Sequence, residues 1–162
     1  MRPAWILCWT AAVALLASCA NTAAPRAPRA ADARALLALH ERVLEAHRRS
    51  DPAMLLEGAA EEFVQAGRGQ LTRPTLAERR ERFTRYLGAT RFTRYADDVP
   101  PVVEVSADGT LGWVIAQVSA EGLQSMAGAP PETLRFTSAW IELYRKVGRE
   151  WTSVGNVSNF KP

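Results

Sequence analysis

The chain has 162 residues, enough for one domain and too few for two ordinary ones. Hydrophobic residues make up 48% and charged residues 23%, a balance that supports a core and excludes a disordered tail. Twenty basic and 17 acidic side chains leave a net charge of only +3, which argues against a dedicated nucleic-acid binder.

Residues 1–18 read as an export signal. Arg2 is followed by an apolar run from Ala4 to Ala17 and by the small residue Ser18. A membrane-spanning helix needs about 20 apolar residues, and this run is shorter. Leu16-Ala17-Ser18-Cys19 resembles the lipobox of bacterial lipoproteins. The resemblance implies that Cys19 carries a lipid and becomes the first residue once 1–18 are removed. It also implies that Ala20, standing where an aspartate would retain the protein in the inner membrane, directs it to the periplasmic face of the outer membrane. Cys8 and Cys19 are the only cysteines, so the mature domain has no disulfide and no cysteine metal ligand. Residues 19–32, rich in Ala, Pro and Arg, read as a flexible tether, and 33–162 as the folded domain.

Ala33–Arg49 has helical periodicity, with Leu36, Leu37, Leu39, His40, Val43, Leu44 and His47 on one arc and Glu41, Arg42, Glu45, Arg48 and Arg49 opposite. Asp51-Pro52 restarts a short helix through an N-cap followed by proline at the first helical position, and Gly58 stops it. Phe63–Ala66 reads as a strand turning at Gly67-Arg68-Gly69. Thr75-Leu76-Ala77-Glu78 is a capping box that opens a third helix ending near Gly88.

After Thr90 the pattern becomes alternation with turns. Val102–Ser106, Asp108-Gly109 and Leu111–Ser119 form a hairpin, because Asp-Gly supplies the positive φ of a tight turn. Leu134–Arg145 and Trp151–Phe160 form a second hairpin, and Gly122–Glu132 is a longer connection. Helices followed by a sheet imply an α+β domain. The pentapeptide Arg-Phe-Thr-Arg-Tyr occurs at Arg82–Tyr86 and at Arg91–Tyr95. A basic–aromatic binding surface is one reading; Phe and Tyr serving the core is the reading favoured here.

The order of elements resembles the nuclear transport factor 2-like superfamily, in particular its SnoaL-like branch, from about Ala33 to Phe160. Two stretches carry it: Leu36-Leu37-Ala38-Leu39-His40 through Ser50-Asp51-Pro52-Ala53-Met54-Leu55, and Arg135-Phe136-Thr137 to Tyr144 with Gly148-Arg149-Glu150-Trp151-Thr152-Ser153-Val154. The resemblance implies three N-terminal helices packed on a curved antiparallel sheet, a cone with a pocket between the layers. Acid/base isomerases of this fold carry a tyrosine on the first helix and an aspartate on the first strand. Alignment of the motifs puts Val43 and Gln65 or Ala66 at those places, and none of them transfers protons near neutrality.

The candidate chemistry is sparse. Histidine titrates closest to neutral pH, so His40 on the apolar arc is a candidate general base, with Gln117 or Asn156 as oxyanion donor. His47 lies about 10.5 Å further along the axis, too far for both imidazoles to share a metal. Trp113, Gln117, Arg135, Trp140, Trp151 and Asn159, with His40, are the pocket candidates, since aromatics with a few polar groups suit an apolar small molecule. Strand periodicity leaves open which sheet face turns inward. No phosphate loop, nucleophile elbow or zinc motif is present, so no cofactor and no metal site are expected. The resulting expectation is a membrane-anchored periplasmic module that binds a small apolar or amphipathic ligand or a protein partner, without catalysis. The alternatives are a proton-transfer isomerase or cyclase with His40 as base, and a homodimer formed through the open sheet face.

Overall fold

A computed structural model of the chain describes residues 26–161. The expected export signal, Cys19 and the first part of the expected tether lie outside the described residues. The first helix, α1, runs Arg26–Arg48, so residues 26–32, expected as tether, are helical. The alanine-rich sequence favours a helix, and Pro28 falls in the first turn, where its missing N–H is not needed. Asp32 fastens this start to the sheet through an ion pair with Lys146 and a 3.2 Å hydrogen bond from Trp151 Nε1.

The short helix α2, Pro52–Leu55, is capped by Asp51, whose carboxylate accepts from the amides of Ala53 and Met54 at 2.9 and 3.0 Å. A hairpin follows, β1 (Ala59–Gly67) and β2 (Gln70–Thr72). Helix α3, Leu76–Ala89, opens on the expected capping box between Thr75 and Glu78. The remaining strands are β3 (Thr90–Asp97), β4 (Val102–Val105), β5 (Leu111–Gln124), β6 (Glu132–Val147) and β7 (Glu150–Lys161). Gly109, at φ 72°, turns β4 into β5 as the Asp-Gly pair requires.

One seven-stranded sheet results, in the order β2-β1-β7-β6-β5-β3, with β4 paired to the first half of β5 and β3 to the second. The sheet is curved, unclosed and mixed. The expected antiparallel arrangement holds for every pair except β1 and β7, which run parallel. Parallel neighbours need a long crossover, and here most of the domain provides it. Bulges bend the strands at Thr93 in β3 and at Val154 in β7.

The α1 stripe packs on the concave face. Leu36 joins Val114, Tyr144 and Trp151 in one core cluster; Leu44 joins Tyr95, Ala116, Val118, Ala120 and Trp140 in the other. Leu37, expected on the apolar arc, is exposed at its edge. Among the described residues no helix is long and apolar enough to cross a membrane.

Candidate functional site

Between the three helices and the concave face lies a cavity of about 640 Å³. Alternation along β6 turns Trp140, Glu142 and Tyr144 into it, and β3 adds Tyr95. Helix α1 contributes Leu39, Val43 and His47. The second copy of the repeated pentapeptide supplies Tyr95 and the first supplies Phe83 and Tyr86, so both repeats put aromatics against the interior.

Beneath the cavity wall His40 stands at the centre of the α1 stripe, four residues from Leu36 and from Leu44, and is 1% exposed. Its Nδ1 lies 3.0 Å from Glu142 Oε1, and its Nε2 lies 3.0 and 3.2 Å from the two oxygens of Asp97. Burial alone would lower its pKa, but hydrogen bonds and charge from Glu142 and Asp97 outweigh burial and raise it to about 9. At neutral pH His40 is an imidazolium with both N–H groups committed. Trp140 Nε1 and the Tyr144 hydroxyl, each at 2.8 Å, donate to the two Glu142 oxygens. The Glu142 carboxylate therefore has three donors, which is what a buried carboxylate requires.

His47 has the opposite electrostatics. Burial lowers its pKa to about 4, against the hydrogen bond from Nδ1 to the Val43 carbonyl (2.7 Å) and the attraction of Glu142. It is neutral and stacks on Tyr95 at 4.1 Å with 9° between the rings.

The expected pocket residues divide. Trp140, Trp151, Asn156 and Arg135 line the cavity, Arg135 from the exposed rim, 3.4 Å from Glu121. His40 is beside the cavity and does not line it. Trp113 and Gln117 fall on the outer face, because Gly112, Val114, Ala116 and Val118 take the inward parity of β5. Gln117 donates to Asp98 there, at 3.2 Å. Asn159 also faces outward. The extra residue Val154 reverses the parity of β7, so Asn156, Ser158 and Phe160 follow Trp151 inward and Asn159 does not. Asn156 is thereby registered with Gln65 of β1, giving two neighbouring amides on the cavity wall.

Sequence reasoning missed Glu142, Asp97 and the wall residues Phe63 and Arg79. A signal for Glu142 exists: in Trp140-Ile141-Glu142-Leu143-Tyr144 it has the same parity as its aromatic neighbours. Nothing local marks Asp97, which reaches His40 only through the fold. Among the described residues no group of three or more His, Cys, Asp or Glu is arranged to hold a metal ion.

This arrangement of helices over a bent mixed sheet is the nuclear transport factor 2-like fold. Solved structures similar to it include a nuclear transport factor 2-like superfamily protein from Salmonella enterica serovar Typhimurium (TM-score 0.67, 14% identity, 82% of this chain and 93% of that one). A ketosteroid isomerase-like protein from Erwinia carotovora atroseptica is similar as well (TM-score 0.65, 17% identity, 81% and 98%). A protein with a cystatin-like fold from Caulobacter vibrioides matches at a TM-score of 0.61 and 11% identity, over 80% and 89%. No protein-family model and no curated protein sequence matches the chain.

Proposed function

We propose that this chain is a SnoaL-like ligand-binding module, exported as a lipoprotein and held by a lipid on Cys19 at the periplasmic face of the outer membrane. The observation that carries the binding reading is the cavity itself: about 640 Å³, within the size range of small-molecule sites, with aromatic walls and a pair of amides, Gln65 and Asn156. Amides in an apolar wall fix the orientation of a ligand without reacting with it. The isomerase alternative with His40 as base is disfavoured, because an imidazolium held by two carboxylates has no lone pair to accept a proton. Native mass spectrometry of the chain purified from its own host tests the binding reading. A retained small molecule supports it, and a mass equal to the bare chain after gentle extraction counts against it.

Self-association through the convex face is a second reading, favoured by an apolar row across the sheet. Val102, Ile115, Ile141 and Val157 are registered partners on β4, β5, β6 and β7, and Val102, Ile115 and Val157 are each more than 40% exposed. Ile115→Lys is expected to convert a dimer to monomer in sedimentation velocity. A wild-type chain that sediments as a monomer at micromolar concentration removes this reading.

A further inference from the structure

Three arginines on the cavity wall, Arg68, Arg79 and Arg82, have no ion-pair partner among the described residues, whereas Arg42 and Arg135 at the same cavity pair with Glu57 and Glu121. Each of the three lies over a phenylalanine that also lines the cavity: Arg79 over Phe63 at 4.2 Å, Arg82 over Phe83 at 5.1 Å and Arg68 over Phe160 at 5.9 Å.

Arg79 is the anomaly. It is 1% exposed, the largest of the fully buried side chains, and its Nε has no hydrogen-bond partner. Its Nη2 donates to the Ala60 carbonyl, and no carboxylate is in ion-pair contact with it, Glu61 attracting it only from a distance. A buried guanidinium left in this state is costly unless something else supplies the anion. Burial lowers the Arg79 pKa, and repulsion from Arg82, one turn further along α3, adds to that while Glu61 offsets only part of it. The β6 wall has the opposite character: Glu142 presents carboxylate oxygens there, already accepting from His40, Trp140 and Tyr144.

We infer that the ligand of this cavity is an anionic amphiphile, with a carboxylate or similar head held by Arg79 and Arg82 on the α3 wall and an apolar body against the aromatics of β3, β6 and β7. This inference rests on the ligand-binding reading above and adds the charge and orientation of the ligand. The head completes the donor set of Arg79 in the bidentate geometry that guanidinium offers to carboxylates. The Glu142 side repels the same group, so the ligand enters in one orientation.

The test uses three probes of matched chain length, decanoate, 1-decanol and decyltrimethylammonium, titrated calorimetrically into the full chain carrying Cys19→Ala, so that no acyl group competes. Decanoate is expected to bind about tenfold or more tighter than 1-decanol, and the cationic probe weakest, as a charge-assisted pair to a buried arginine implies. Decanoate affinity falls as salt rises while that of 1-decanol holds. Arg79→Gln removes the preference for decanoate. Arg82→Gln, at an exposed position that leaves folding intact, weakens decanoate alone by about threefold. If 1-decanol binds as tightly as decanoate, or both variants weaken the two probes equally, the anionic head is wrong while the cavity reading stands. If none of the three binds, the cavity reading fails with it.

Discussion

Burial lowers the pKa of any imidazole, and the two histidines of α1 show how neighbours decide the outcome. His40, between two carboxylates, titrates at about 9, whereas the unfolded value is 6.5. Between those values the folded chain keeps a proton that the unfolded chain has released. Its stabilisation is complete below about 6.5 and is lost as pH rises towards 9, with a slope of up to about 1.4 kcal/mol per pH unit. His47, at about 4, behaves in reverse. Below 6.5 the unfolded chain takes up a proton that the folded chain refuses, so stability falls as pH drops towards 4. Urea midpoints measured across this range are expected to peak near neutrality. His40→Gln, which also strands Asp97 and Glu142, should cost about 3 kcal/mol at pH 7 and abolish the alkaline limb. His47→Gln should flatten the acid limb. An alkaline limb that persists in His40→Gln would contradict the assignment. The sequence exposed His40 as the odd residue on an apolar stripe, but not its role, because the carboxylates that set its charge are 57 and 102 residues away.

At the level of elements, signals written in adjacent residues were legible and those made by pairing were not. The capping box Thr75-x-x-Glu78 fixed the start of α3, and Thr75→Ala is expected to lower stability by about 1 kcal/mol in thermal unfolding. Asp108-Gly109 likewise located its hairpin. The parity of β7 was not readable, since Trp151 to Asn159 looks like simple alternation until Val154 bulges against Leu143 and Tyr144. That one residue exchanges Asn159 for Asn156 on the cavity wall. The parallel pairing of β1 with β7 was equally hidden, as no local pattern distinguishes it from the antiparallel choice.

For the whole molecule, the layer order of helices over a sheet followed from the sequence pattern, whereas the hollow between them was expected only through the family resemblance, because emptiness is a property of how strands curve. The proposed lipid anchor on Cys19 is tested separately from the domain. Cys19→Ala is expected to move the protein from the membrane fraction to the soluble periplasmic extract with its thermal midpoint unchanged. Tight membrane association by the variant would refute the lipid anchor.

The position of β7 has a consequence for biogenesis. It lies between β1 on one side and β6 on the other, so the β1–β2 hairpin has no strand neighbour in the rest of the sheet until residues 150–161 arrive. A polypeptide emerging N-terminus first holds the β1–β2 hairpin apart from the β3–β6 part of the sheet until β7 is made, and the sheet contacts that unite them form after both. The sheet is completed only by β7. A nascent chain halted after residue 149 is expected to remain protease-sensitive, however complete its helices are.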